Sequence, residues 1–114
     1  MRRSADFTAA VRGGRRVARS TLVLHVRSRP ACTESTRVGL IISKSVGNSV
    51  VRHRVARRLR AVCAERIASW RPGDLVVVRA LPRAASATFA QLESDLTSAA
   101  ERVQSVMDGQ EARP

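Results

Sequence analysis

Residues 37–60 read RVGLIISKSVGNSVVRHRVARRLR, and two kinds of secondary structure meet within them. The apolar run from Arg37 to Ser43 predicts a strand that is covered on both faces. From Asn48 or Ser49 the pattern changes to a helical period, which continues to about Trp70 and stops at the Pro-Gly pair that follows. The stretch therefore predicts a strand that leads through a glycine turn into a long helix.

This predicted helix has an apolar face and a basic face when successive residues are placed roughly 100° apart. The apolar arc, which must face the sheet, contains Val51, Val55, Ala56, Leu59, Val62 and Cys63. The opposite arc contains His53, Arg54, Arg57, Arg58 and Arg60. Arg52 lies within the apolar arc at the first turn, where it can reach around the end of the sheet.

Acidic residues are missing from this region, because none occurs between Lys44 and Ala64. A merely solvated helix face usually carries glutamates four residues from its arginines. Like charges packed this densely lower stability unless a polyanion neutralises them. The basic face is therefore predicted to bind phosphates.

The turn before the helix predicts a second anion site. Gly47 permits a backbone conformation with positive φ, and Asn48 or Ser49 can cap the helix. Exposed amides and the helix dipole then attract an anion beside Lys44. A strand–glycine–helix turn is common, so this prediction depends on the basic face next to it.

Composition limits the class of protein. The chain has 114 residues and a formal net charge of +12, so one domain, residues 1–114, and a polyanionic partner are expected. Net charge alone leaves nucleic acid and an anionic membrane surface equally open. No stretch is long and apolar enough to cross a membrane, and the basic start lacks the apolar segment of a secretion signal. Cys32 and Cys63 lie far apart with no histidine at ligand spacing, so a zinc site is not predicted and a cytoplasmic location is expected.

The remaining elements predict an α/β, two-layer (α+β) domain. A helix is predicted from Ser4 to about Arg12, and strands over 21–27 and 74–80. Thr88 and Gln91 form a capping box that opens a last helix to about Met107. Its apolar face contains Phe89, Leu92, Leu96, Ala99, Val103 and Val106, and residues 108–114 are expected to fray.

The sequence of residues 37–60 resembles the signature of the bacterial ribonuclease P protein subunit. That family pairs the block R-V-G-(apolar)-S-K-K-x-G-N-A-V-x-R-N-R with further basic residues on the same helix. ADFTAAVRGGRR resembles the family's first helix and turn, and PGDLVVVRALP its last strand. The chain departs from the pattern at His53 and Ala56 on the basic helix, and at Val11 and His25, where the family usually has aromatic residues.

The resemblance implies a fold of order α-β-β-β-α-β-α with an unusual left-handed βαβ crossover, like the second domain of a small-subunit ribosomal protein. It also implies a ribonucleoprotein that removes the 5′ leader of precursor tRNA, with hydrolysis performed by the catalytic RNA and Mg²⁺ bound mainly by that RNA. The residues expected to bind the catalytic RNA are Lys44, Asn48, Arg52, His53, Arg54, Arg57, Arg58 and Arg60. Those expected in the leader-binding cleft are Phe7, Val11, His25 and Arg79.

The resemblance assigns the protein no catalytic residue and no metal ligand. The carboxylates are scattered, and Glu93 and Asp95 lie two apart on a predicted helix, so they point in different directions. The alternative reading is a ribosomal or other structural RNA-binding protein, with similar charge and fold. A DNA-binding module ranks last, because the basic helix lacks the Asn and Gln side chains that read adenine.

Overall fold

The computed structural model describes residues 14–28, 36–66, 70 and 73–112. In this part of the chain the strands are β1 (Arg15–Ala18), β2 (Leu22–Arg27), β3 (Arg37–Ile41) and β4 (Leu75–Ala80). The helices are α1 (Ser49–Arg66) and α2 (Phe89–Ala112), with short 3₁₀ helices at Lys44–Val46 and Pro82–Ala85. The α+β prediction is confirmed. The helix predicted from Ser4 to Arg12 lies outside the described residues.

The sheet has the order β1-β2-β4-β3 and is mixed. β2 pairs antiparallel with β1 and with β4, whereas β3 pairs parallel with β4. The predicted strand–helix–strand unit is therefore confirmed, because α1 connects two neighbouring parallel strands. The left hand expected of this crossover stays a prediction.

Strand β3 is less buried than its apolar sequence predicts. It lies at the edge of the sheet, with β4 as its neighbour there, and its residues are half-buried apart from the buried Gly39. β2 and β4 occupy the central positions, and almost all of their residues are buried.

One face of the sheet packs against both helices to form the core. Alternate residues of a strand point to the same face, so β2 and β4 contribute every second side chain. The sheet side of the core contains Leu22, Leu24, Val26, Val76, Val78 and Ala80. The helix side contains Val55, Leu59, Val62, Leu92, Leu96, Ala99 and Val103. Truncating one of these leucines to alanine costs about 2–5 kcal/mol.

The helix ends differ from the sequence prediction in two places. Trp70 does not belong to α1; it lies in a bend and packs into the core with 8% of its surface exposed. The sequence pattern extended the helix to Trp70, but burial of its large indole in the core stabilises a different backbone position. α2 continues to Ala112 instead of ending near Met107. The fraying expected of residues 108–114 stays a prediction.

The start of α2 confirms the capping box. The backbone N–H of Thr88 donates to Gln91 Oε1 at 2.8 Å, and the N–H of Gln91 donates to Thr88 Oγ1 at 3.1 Å. Phe89 keeps its place on the apolar face, three residues before Leu92, but it is 38% exposed. It is the first residue of the helix, ahead of the turns that pack against the sheet.

Candidate nucleic-acid interface

The turn into α1 depends on a close approach between Gly47 and the helix. Gly47 has φ +157°, and a Cβ built at this position would lie 2.8 Å from Cγ1 of Val51. Asn48 caps the helix, because its Oδ1 accepts a hydrogen bond of 3.0 Å from the backbone N–H of Val51. Both roles predicted for this turn are confirmed. Lys44 lies exposed in the 3₁₀ helix just before it.

The apolar face of α1 anchors the helix to the core. Val55, Leu59, Val62 and Cys63 are buried, and Val51 and Ala56 are half-buried beside them. Burial raises the pKa of the Cys63 thiol to about 11, so the side chain stays protonated and behaves as a small apolar residue. The predicted wheel is therefore confirmed on this side.

A groove of about 310 Å³ follows one flank of the basic face. It is lined by Ile42, Ser49, Arg52, His53, Ala56 and Arg60. His53 and Arg60 are exposed, whereas Arg52 is half-buried and its Nε finds no hydrogen-bond partner within the described residues. Ile42 follows directly after β3, so Arg52 does lie at the end of the sheet, as predicted. The groove presents positive charge beside apolar surface, which suits a phosphate with its attached nucleotide.

The other flank of the basic face is engaged within the protein. Nη2 of Arg54 donates to the carbonyl oxygen of Ala85 at 2.9 Å, and Nη1 of Arg58 donates to the carbonyl oxygen of Ala87 at 2.9 Å. Both arginines are half-buried. The basic arc predicted by the helical wheel is therefore partly covered at these two positions, because the arginines bind carbonyl oxygens at the end of the second 3₁₀ helix and before α2. Arg57 lies between the two flanks and is exposed.

The opposite face of the sheet carries the described part of the predicted leader cleft. His25 on β2 pairs in register with Val77 on β4 and with Arg16 on β1, so these side chains share one face. Arg79, two residues after Val77 on β4, lies on the same face and is exposed, whereas His25 is only 3% exposed. Phe7 and Val11 lie outside the described residues.

The His25 ring is neutral in this setting. Burial lowers its pKa from 6.5, and the positive charges of Arg16 and Arg79 lower it further. Neither ring nitrogen has a hydrogen-bond partner within the described residues. A buried polar group without a partner costs about 1–3 kcal/mol, so the site holds an unused donor and an unused acceptor between two guanidinium groups.

Sequence reasoning missed Arg16. It is exposed on β1 and its charge acts on His25, but the run VRGGRRVAR contains several arginines that the pattern cannot distinguish. The register of β1 against β2 identifies it. A clear hairpin register in the sequence would have been the necessary signal, and the segment is too short and too basic to provide one.

Two further features are absent from the described part of the chain: a cluster of metal ligands and a membrane-spanning helix. No three His, Cys, Asp or Glu side chains come close enough there to hold a metal ion. Within the same residues, neither helix combines the length and the apolar character that a membrane crossing needs.

Fold and site together define a small basic α+β protein whose cationic helix is fixed to a mixed sheet. The family model described as Ribonuclease P matches residues 1–104. A protein of Streptomyces avermitilis named "Ribonuclease P protein component" is 50% identical over 110 residues, which cover 90% of this chain and 89% of that protein. A protein of the same name from Mycobacterium marinum is 48% identical over 104 residues, 90% of this chain and 87% of the relative. The chain belongs to the ribonuclease P protein family, as residues 37–60 indicated.

Solved structures show the same fold. The RNase P protein of Staphylococcus aureus superposes with a TM-score of 0.74 at 24% identity, covering 94% of this chain and 93% of that one. The RNase P protein of Thermotoga maritima gives a TM-score of 0.76 at 17% identity, covering 90% and 96%. The architecture is therefore kept although most side chains differ.

Proposed function

We propose that this chain is the protein subunit of ribonuclease P and binds the catalytic RNA through the surface from Lys44 to Arg60. Membership of the family supports the assignment, and the observation that carries it is the exposed set Lys44, His53, Arg57 and Arg60, in a stretch with no acidic residue from Lys44 to Ala64. Asn48 and Arg52 adjoin this set. Arg54 and Arg58 lie next to this set and add positive charge. They also donate hydrogen bonds to the segment 82–88.

The reaction assigned to the complex is endonucleolytic removal of the 5′ leader from precursor tRNA. We propose that the RNA performs the hydrolysis and holds most ligands of the Mg²⁺ ions, since the protein's carboxylates are scattered in sequence. The protein lowers the Mg²⁺ requirement by neutralising phosphates where the two RNAs meet. A cytoplasmic location belongs to the same proposal.

The test is reconstitution. The purified protein, after rigorous RNase treatment, should leave precursor tRNA intact, and adding the catalytic RNA at low Mg²⁺ should give cleavage far faster than the RNA alone. Arg57→Ala with Arg60→Ala should weaken binding to the catalytic RNA and reduce its salt dependence by about two phosphate contacts. Arg102→Ala removes a charge from an exposed position on α2 and serves as the control. Cleavage by the protein alone would overturn the assignment.

The leader of precursor tRNA is assigned to the sheet face around His25. Arg16 and Arg79 are exposed and flank the buried His25 on this face, where they offer guanidinium groups for the phosphates of the leader. Arg79→Ala should therefore weaken binding of precursor tRNA to the holoenzyme and leave binding of mature tRNA unchanged. If Arg79→Ala weakened binding of precursor tRNA and mature tRNA equally, the proposal that the leader binds this face would be contradicted.

The alternative, a ribosomal or other structural RNA-binding protein, predicts a different RNA partner. Sequencing the RNA that co-purifies with the tagged chain separates the two. One structured RNA of a few hundred nucleotides together with tRNA precursors supports the ribonuclease P assignment, and ribosomal RNA alone contradicts it. Binding to DNA should be weak and independent of sequence, because α1 presents no amide side chains on its exposed face for reading bases.

A further inference from the structure

A second polar cleft shares no lining residue with the groove beside α1. Its volume is about 500 Å³, within the range of roughly 300–1,000 Å³ typical of small-molecule sites. The turn between β1 and β2, the second 3₁₀ helix and the first turns of α2 form its walls. The side chains that matter to its chemistry are Arg83, Ser86, Gln91, Ser94 and Asp95.

Asp95 gives the cleft a fixed hydrogen-bond acceptor. Its Oδ2 accepts from the hydroxyl of Thr21 at 2.6 Å, from the backbone N–H of Thr21 at 3.1 Å and from the hydroxyl of Ser20 at 3.2 Å. Three donors saturate one carboxylate oxygen. Oδ1 is then the oxygen left to accept from a ligand, and the carboxylate is already oriented.

Donors surround this acceptor. Oε1 of Gln91 is held by the backbone N–H of Thr88 at 2.8 Å, which leaves the Gln91 amide nitrogen as a donor. Ser94 adds a hydroxyl, and Arg83 adds an exposed guanidinium. Ala90, exposed on the first turn of α2, contributes a methyl group to the lining.

This mixture selects against simple ions. The carboxylate of Asp95 repels a free phosphate, and Arg83 together with a chain charge of +12 repels a cation. A planar neutral group fits the cleft if its amino group donates a hydrogen bond to Asp95 and its ring atoms accept hydrogen bonds from Gln91 or Ser94. Adenine and cytosine have this pattern on their base-pairing edges, and unpaired bases of RNA are read on those edges.

We propose that the cleft takes one unpaired adenine or cytosine of the RNA bound by the protein, with Arg83 on an adjacent phosphate. The inference rests on the proposed function, since it assumes an RNA partner. Continuity with α1 supports it. Arg83 and Ser86 belong to the segment whose carbonyls at Ala85 and Ala87 accept from the arginines of the basic helix. The helix therefore braces one wall of the cleft, and the two contact regions meet along this segment.

The first experiment titrates the full-length protein with the four ribonucleoside 5′-monophosphates, and separately with inorganic phosphate, while backbone amide shifts are followed by NMR. AMP or CMP should shift the amides of Gln91 and Asp95. Ser94→Leu, which fills the cleft, should abolish these shifts. Ser105→Leu, the same change at an exposed position further along α2, should keep them.

The second experiment measures affinity for the catalytic RNA with and without precursor tRNA. Ser94→Leu should weaken binding about tenfold to the catalytic RNA alone, to its complex with precursor tRNA, or to both. The dependence of this affinity on salt concentration should not change, because a base contact releases no counterion. Arg83→Ala should lower the slope by about one. Ser105→Leu should match the wild type in both respects.

Each remaining outcome has a defined meaning. Identical shifts with inorganic phosphate alone would reduce the cleft to an anion contact of Arg83 and overturn the proposal. The absence of shifts with every nucleotide, while the wild-type chain still binds the catalytic RNA, would overturn the cleft and leave the proposed function standing. A wild-type chain that binds neither RNA would overturn both.

Discussion

The guanidinium of Arg58 donates to the carbonyl oxygen of Ala87 at 2.9 Å, while the neighbouring Arg57 is exposed. Two adjacent arginines of one motif therefore have different physical roles. Arg58→Ala should lower the free energy of unfolding by about 1–2 kcal/mol, because it removes a charged hydrogen bond and leaves the carbonyl without its donor. Arg57→Ala should change it by less than about 0.5 kcal/mol. Urea denaturation of both variants measures the difference.

RNA binding should show the reverse order for these two positions. Arg57→Ala should weaken binding and reduce the salt slope by about one, as expected for a lost phosphate contact. Equal stability of the two variants in urea would mean that the Arg58 hydrogen bond contributes nothing measurable to the fold.

Two substitutions of Asn48 can separate its role in capping α1 from a role in RNA binding. Asn48→Ala should lower the free energy of unfolding by about 1 kcal/mol, since the N–H of Val51 loses its acceptor. Asn48→Asp keeps an acceptor and places a negative charge at the helix N-terminus, so its stability should equal or exceed that of the wild type. The same aspartate lies beside Lys44 and should repel RNA. A filter-binding assay in which Asn48→Asp binds as well as wild type would place RNA elsewhere.

His25 makes stability depend on pH in a defined direction. Its pKa in the folded protein is lowered from 6.5, first by burial and then by Arg16 and Arg79. As the pH falls through about 6.5, the unfolded chain therefore takes up a proton that the folded protein does not, and the free energy of unfolding decreases. Phenylalanine fills a similar space without titrating. The gain in stability of His25→Phe over wild type should be larger at about pH 5.5 than at about pH 7.5.

Chemical denaturation at the two pH values measures this gain for His25→Phe. A gain that is the same at both would show that His25 titrates alike in the folded and unfolded chain.

Two carboxyl groups on different helices, Glu65 and Glu93, come close enough to affect each other's protonation. A hydrogen bond between Glu65 on α1 and Glu93 on α2 raises the pKa of Glu65, with a further contribution from the charge of Glu93. Stability from this pair is present at pH values where Glu65 is protonated and is lost as the pH rises through its folded pKa. Glu93→Gln should therefore raise the melting temperature at neutral pH, and the gain should shrink as the solution is acidified. Glu101→Gln, exposed on the same helix, should show no such trend.

Several features could be read from the chain by itself. The glycine–asparagine turn, the apolar stripe of α1 and the capping box of α2 are local patterns whose geometry follows from residue type and helical period. They predicted the roles of Gly47, Asn48, Val55 and Leu59, and with the block around Arg52 they indicated the family. These predictions held because each depends on residues that are neighbours in sequence.

Only the tertiary structure decided how the basic face is divided. On the helical wheel Arg54 and Arg58 lie closer to the apolar arc than Arg57 does, but the wheel cannot show which groups they contact, because the carbonyls that engage them lie about thirty residues further along the chain. The edge position of β3, the burial of Trp70 and the alignment of Arg16 with His25 likewise depend on contacts between distant segments. The residue types of a segment and their helical or strand spacing determine which side chains it can bury and how its ends can be capped. Which groups finally meet is set by packing the whole sheet against both helices.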